Sequence, residues 1–198
     1  RTTTFGTFAM CAAESSPSHP ILDHKWIPRS PHEAPPCTGI MALYNRGDRR
    51  RWQWPCLHCW TWFEGKFDLL VWDDKPESNL EKAATAHMAC PHCGTMIHPD
   101  ERHEMQQWGM WVPEGMHVNN KGQLAGKRPR TTFASYWLRG TAAAFVTWPK
   151  LVLTYLDAHD EHERTGSEES LKKFWNNDMG EPYVPKITDS IRLPEAMK

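Results

Sequence analysis

Four of the six cysteines occur as two pairs with the spacing of metal ligands. Cys56 and Cys59 form one Cys-x-x-Cys pair, Cys90 and Cys93 form another, and 30 residues separate the pairs. Two intervening residues let both sulfurs of a pair face one centre, and two such pairs complete a tetrahedral shell of four thiolates. A closed shell leaves no position for water, so the sequence predicts a structural zinc ion.

Other interpretations of these cysteines stay open. One pair could be a redox dithiol or part of a disulfide, or all four could be buried free thiols. Gly94 after the second pair can adopt a positive φ, whereas Trp60 occupies the same place after the first pair. The spacer exceeds the roughly 15–20 residues of a compact ribbon, so we predict an inserted hairpin or loop within residues 60–89. Cys11 and Cys37 lack a partner at metal spacing and are predicted to be core and loop cysteines.

A cluster of arginines precedes two tryptophans on a predicted strand. Its members are Arg46, Arg49, Arg50 and Arg51. Such a cluster can contact phosphates or stack on bases, and it can equally be a solvated strand edge whose charges discourage aggregation. A second basic loop contains Lys127, Arg128 and Arg130, with the same two interpretations.

The composition limits the functional classes. The chain has 198 residues, 11 tryptophans and a formal net charge of −1, so any attraction to nucleic acid must come from local patches. No apolar stretch approaches the roughly 20 residues that cross a bilayer, which predicts no membrane role. The sequence contains neither G-x-x-x-x-G-K-[ST] nor H-E-x-x-H nor G-x-S-x-G. Acidic clusters at residues 73–74 and 157–163 are predicted to be solvated surfaces.

The surrounding patterns predict the elements that position these residues. Residues 8–13 are apolar and end at a polar turn, which indicates a buried strand, with a helix not excluded. Residues 17–38 are rich in proline and histidine and are predicted to be a loop. Strands are predicted at residues 49–54, 108–112 and 133–138, and turns at 45–48 and 119–122.

The last third is predicted to be helical. Apolar residues recur at helical spacing across residues 147–164, with Thr147 as the N-cap and Gly166 at the end. Ser167 is predicted to cap a second helix whose apolar face contains Leu171, Phe174 and Trp175.

An ordered set of segments resembles the large terminase subunit of lambda-type tailed bacteriophages. The segments are Glu14-Ser15-Ser16-Pro17, Leu43-Tyr44-Asn45-Arg46-Gly47-Asp48-Arg49-Arg50, the two cysteine pairs, Ser135-Tyr136-Trp137-Leu138, Ala144-Phe145-x-x-Trp148 and Phe174-Trp175-Asn176-Asn177-Asp178-Met179-Gly180-Glu181-Pro182. The resemblance runs along nearly the whole chain in the same order.

This resemblance implies a viral DNA-packaging motor that joins an ATPase to an endonuclease. The phosphate loop and Walker B acid are expected before Arg1, and the nuclease carboxylates after Lys198, so we expect an internal fragment that neither hydrolyses ATP nor cuts DNA by itself. Ser15 and Ser16 stand where the family has its ATPase coupling motif, although the sequence alone favours an ordinary turn. The implied parent uses ATP and Mg²⁺ in the host bacterial cytoplasm. Its implied partners are double-stranded viral DNA, the small terminase subunit and the procapsid portal.

The expected fold class is therefore α+β. The chain is expected to comprise three parts. These are the end of an α/β ATPase domain with a Pro-rich loop (1–38), a four-cysteine zinc-ribbon β-region with an inserted loop (39–140) and a helical connector to a nuclease domain (141–198). The alternative function is a zinc-ribbon nucleic-acid-binding module of a transcription or replication protein. A purely structural zinc domain is the third possibility.

Overall fold

The computed structural model describes residues 10–184 apart from Pro20 and His24, and these residues form five α-helices and nine short strands. The α-helices are Ile40–Asn45 (α1), Asn79–Ala84 (α2), Arg102–Trp108 (α3), Trp148–Thr165 (α4) and Glu169–Lys173 (α5). The strands are Arg50–Pro55 (β1), Trp62–Phe63 (β2), Leu70–Val71 (β3), His87–Ala89 (β4), Met96–Ile97 (β5), Met110–Val112 (β6), Met116–Val118 (β7), Leu124–Gly126 (β8) and Tyr136–Trp137 (β9). The mixture of helix and strand agrees with the predicted class at this coarse level.

Strand β1 is the centre of the largest sheet. It pairs antiparallel with β2, where Trp54 lies opposite Phe63, and antiparallel with β6, where Trp52 lies opposite Trp111. It also pairs parallel with β9, which brings residues far apart in sequence into one sheet. The strand begins one residue after the predicted start, because Arg49 has a positive φ of 48° that interrupts extended backbone.

The 30-residue spacer between the cysteine pairs contains most of the second sheet. Within it, β3 pairs with β4, and β4 then pairs with β5 just beyond the second cysteine pair. Helix α2 lies between β3 and β4 and packs on α4. A separate antiparallel hairpin of β7 and β8 closes at the predicted 119–122 turn.

Helix α4 matches its sequence prediction because its signals are local. The Thr147 hydroxyl accepts a hydrogen bond from the Lys150 amide at 3.3 Å, and Gly166 ends the helix with a φ of 74°. The helix buries Trp148, Leu151 and Val152 against the rest of the protein. The predicted second helix exists as α5 and continues as a π-helical turn at Phe174–Asp178. Glu168 occupies the N-cap position, and the Ser167 hydroxyl accepts a hydrogen bond from the Glu169 amide at 3.4 Å.

One hydrophobic core joins both sheets to the C-terminal helices. Trp54 from β1, Met88 from β4 and Ile97 from β5 are fully buried together with Leu151 and Phe174. Burial of side chains of this size stabilises a fold by about 1.5–3 kcal/mol each. The segment that carries the cysteine pairs and the segment that follows it therefore share their interior.

The N-terminal part differs from its prediction. Residues 10–13 are exposed and have no regular secondary structure, so neither a buried strand nor a helix forms there, while residues 8 and 9 lie outside the described residues. The described part of 17–38 is irregular, as predicted. It is nevertheless held in place, since the Asn45 side chain hydrogen-bonds to both the N–H and the C=O of Ala34. Within the part of the chain that the structure describes, no helix has the length and apolarity needed to span a membrane.

Candidate metal centre

Each cysteine pair lies in the turn of a β-hairpin, and the two turns have the same backbone hydrogen bonds. In the first, between β1 and β2, the Cys56 amide donates to Thr61 O at 3.1 Å and the Trp60 amide donates to Cys56 O at 2.8 Å. In the second, between β4 and β5, Cys90 and Gly94 occupy the equivalent positions with bonds of 2.9 Å each. The sequence spacing thus produces two matching turns.

In each turn, the residue four positions after the first cysteine of the pair has a left-handed backbone conformation. Gly94 has a φ of 73° and Trp60 has a φ of 56°. Glycine adopts this conformation without penalty, whereas a residue with a Cβ loses roughly 1–2 kcal/mol there. Trp60 partly offsets this cost by packing edge-on against the ring of Trp108, with 5.9 Å between the centroids.

The two turns bring four sulfurs together. The Sγ atoms of Cys56 and Cys93 are 3.9 Å apart, those of Cys59 and Cys90 are 3.8 Å apart, and all four lie within 4.8 Å of one another. Zinc–sulfur bonds of about 2.3 Å place tetrahedral thiolates roughly 3.8 Å apart, so the observed separations fit such an ion. They exceed the roughly 2.05 Å of a disulfide bond, and all four cysteines are free.

The electrostatic environment differs between the four thiols. Burial raises the pKa of Cys56 to about 12 and also raises the pKa of Cys90. Hydrogen bonds from the Thr95 hydroxyl and amide lower the pKa of Cys93, which lies at the surface, to about 6. A buried thiol such as Cys56 therefore becomes a thiolate near neutral pH only beside a cation that compensates its charge.

Neither histidine of the two turns belongs to the sulfur cluster. His58 points to Glu101, with its Nε2 atom 3.0 Å from the carboxylate oxygen. The His92 ring lies against Phe63 at a centroid distance of 6.5 Å. Both imidazole rings therefore have their contacts outside the four sulfurs.

The four arginines of the predicted nucleic-acid cluster have different surroundings. Arg51 is buried, with its guanidinium 3.5 Å from the Trp137 ring centroid. Arg49 forms ion pairs with Glu114 and Glu33, and Arg50 pairs with Asp48 at 2.9 Å. Arg46 is exposed, and its guanidinium lies over the Phe133 ring at 4.9 Å. Only Arg46 of the four therefore presents its charge mainly to solvent.

Ser15 and Ser16 are exposed and lie on the wall of a cleft of about 510 Å³. The Ser15 hydroxyl donates to the Ser16 carbonyl at 2.9 Å, and the following Pro17 is buried. The lining of the cleft also includes Trp137 and Asp178. Two segments that are more than 100 residues apart in sequence thus border one cleft.

Sequence reasoning missed a buried ion-pair network beside this cleft. Glu64 Oε1 lies 2.7 Å from Arg139 Nε and 3.4 Å from an Nη atom of Arg51. Arg139 also pairs with Glu181. Burial lowers the pKa of Arg139, but the two carboxylates outweigh burial and raise it. Because the paired residues are 13 to 75 residues apart, no local spacing in the sequence could reveal the network.

Comparison with protein families gives two matches on this chain. Residues 1–111 match the family described as phage terminase large subunit gpA, ATPase domain. Residues 133–196 match the family described as terminase large subunit gpA, endonuclease domain. No curated protein and no solved structure is matched. Both cysteine pairs lie in the ATPase-domain match, and Arg139 and Glu181 lie in the endonuclease-domain match.

Proposed function

Because this chain belongs to the gpA family of phage terminase large subunits, we propose that it is the middle segment of a DNA-packaging ATPase and endonuclease, braced by a structural zinc ion. The observation that carries the proposal is the convergence of four sulfurs from two hairpin turns. The zinc ion would be held by Cys56, Cys59, Cys90 and Cys93. It would supply a fixed tetrahedral crosslink between the turns.

The strand lengths explain why a metal would be needed. Strands β2, β3 and β5 have only two residues each, so their ladders contain few hydrogen bonds. A metal that binds only the folded chain adds its binding free energy to folding. The zinc ion would therefore hold both hairpins in register.

The segment also acts as a connector. Strand β1 lies in the ATPase-domain match and pairs with β9, which lies in the endonuclease-domain match. The proposed divisions remain those expected from the sequence, with residues 1–38 ending the ATPase domain, 39–140 forming the zinc-ribbon region and 141–198 leading to the nuclease. A zinc-braced sheet at this junction would keep the two activities at a fixed spacing.

The whole protein would use ATP and Mg²⁺ to move double-stranded viral DNA in the host bacterial cytoplasm. It would act with the small terminase subunit and the procapsid portal, and without a membrane. The family membership favours this function over a zinc-ribbon module of a transcription or replication protein.

Elemental analysis tests the metal proposal. Purified protein is expected to contain one zinc per chain, because four thiolates fill one tetrahedral shell. Acidification should release the zinc, since protons compete for the thiolates. The measurement is inductively coupled plasma mass spectrometry after dialysis at a series of pH values. A metal-free chain with an unchanged thermal transition would contradict the proposal.

Ser16 would couple ATP hydrolysis to movement through its hydroxyl. In the full-length protein, Ser16→Ala is expected to slow ATP-driven DNA packaging by about 10- to 100-fold. This factor corresponds to the free energy of one hydrogen bond to a charged group, lost in the transition state. The measurement is DNA protected from nuclease per unit time in a packaging assay. The neighbouring exposed Ser18, changed to alanine, is the matched control. Equal packaging rates for the two variants would remove Ser16 from the mechanism.

A further inference from the structure

Residues 112–132 belong to neither of the two family matches and contain an unusual concentration of positive charge. Four cations, Lys121, Lys127, Arg128 and Arg130, and one acid, Glu114, give them a net charge of +3. The chain as a whole has a net charge of −1, so the remaining residues sum to −4. All four cations are exposed.

The loop that carries three of these cations is fixed at both ends. At its start, the Lys127 amide donates to Gly115 O at 3.1 Å, which ties the loop to the base of the β7–β8 hairpin. At its end, the Thr131 hydroxyl donates to Arg46 O at 3.2 Å. Hydrogen bonds therefore fix the backbone that carries these cations. Because the loop is already ordered, it loses less conformational entropy when the cations bind a partner.

Asp48 fixes the middle of the same loop. Its carboxylate is fully buried, accepts a hydrogen bond from the Ser135 amide at 3.0 Å and pairs with Arg128 at 2.6 Å. The positive charge of Arg128 is thus partly compensated by an ion pair within the protein. Lys127 and Arg130 on either side have no acidic partner among the described residues.

Arg46 extends the basic surface beyond the loop. Its guanidinium stacks on Phe133, whose ring is half-exposed beside the end of the loop. Exposed guanidinium and ammonium groups on one surface suit a sugar-phosphate backbone, which offers regularly spaced anions.

We propose that Lys127 and Arg130, on the segment between the two family matches, form a nucleic-acid backbone-binding surface together with the adjoining Arg46. Its partner is the phosphate backbone of duplex DNA. The inference rests on the proposed function only for naming viral DNA as that duplex. Binding would not depend on base sequence, because contacts to phosphates carry no sequence information.

The test is fluorescence anisotropy of the 198-residue chain with a labelled random duplex of about 30 bp across a salt series. The double variant Lys127→Gln/Arg130→Gln is expected to weaken binding by about tenfold or more and to lower the salt-dependence slope by roughly 1.8. Arg128 is left unchanged because it pairs with buried Asp48. The matched control is Lys172→Gln/Lys173→Gln, which removes two exposed charges from α5.

The outcomes separate this inference from the zinc proposal. Weaker DNA binding by the loop variant alone, with zinc content and thermal transition unchanged, supports the surface. Equal weakening by both double variants would show a general charge effect and overturn it. Absence of duplex binding at low salt by a folded, zinc-containing wild-type chain would also overturn it, while leaving the zinc proposal intact. If polyglutamate displaces the labelled duplex as well as unlabelled duplex does, the partner of the surface is an acidic protein and not DNA.

Discussion

Cys90→Ser protein is expected to contain no stoichiometric zinc and to lose its cooperative thermal transition. Cys90 is buried between β4 and β5, and its sulfur lies 3.8 Å from that of Cys59. A serine oxygen is a poor ligand for zinc in a thiolate site. Structural zinc contributes about 10–16 kcal/mol in zinc-finger peptides, which is comparable to the whole stability of a domain.

Two measurements on the same sample check this expectation. Zinc per chain is determined by elemental analysis, and unfolding is followed by near-UV circular dichroism, to which the buried Trp54 and Trp148 contribute. Cys11→Ser is the matched control, because Cys11 is an exposed cysteine outside the sulfur cluster. A Cys90→Ser protein with one zinc per chain and an unchanged melting temperature would refute the four-thiolate site.

The features that the sequence predicted correctly depend on residues close together in the chain. The hydroxyl of Thr147 and the positive φ of Gly166 act within one helical turn of the ends of α4, so local patterns suffice. The cysteine spacing likewise defines each turn by itself. Its zinc ligation remains a prediction, although the structure brings all four sulfurs together.

Other features depend on contacts that adjacency in sequence does not encode. Arg50 and Arg51 are neighbours on one strand, where successive side chains point to opposite faces. Arg50 reaches Asp48 and the Tyr136 hydroxyl near the surface, whereas Arg51 enters the interior beside Trp137. The sequence showed a basic cluster, but only the paired strand β9 decides which arginine is covered.

Helix α3 was missed for a related reason. Of its seven residues only Met105 is buried, so the apolar periodicity that reveals a helix is absent. Its N-terminal side is defined by a capping box in which the His98 side chain accepts from the Asp100 amide and Glu101 bonds back to the His98 amide. Histidine in place of serine or threonine hides this signal from pattern reading.

Glu64→Gln is expected to destabilise the protein by about 3–5 kcal/mol, which is a fall in melting temperature of roughly 10 °C for a chain of this size. The Glu64 carboxylate lies between the guanidinium groups of Arg51 and Arg139, and Arg51 is almost fully buried. A neutral amide would leave two positive charges facing each other away from water. The carboxylate comes from the ATPase-domain match and Arg139 from the endonuclease-domain match, so the variant weakens the junction between them.

The control is Glu163→Gln, which removes the same charge from an exposed position on α4 and should change stability by less than about 0.5 kcal/mol. Chemical denaturation of zinc-loaded protein measures both variants. The double variant Glu64→Gln/Arg51→Met provides the decisive comparison, because it also removes the buried charge that Glu64 compensates. If burial of Arg51 is the source of the cost, the double variant will be more stable than Glu64→Gln alone. A double variant that is less stable by the sum of the two single effects would show that Glu64 acts instead through Arg139 and its link to Glu181.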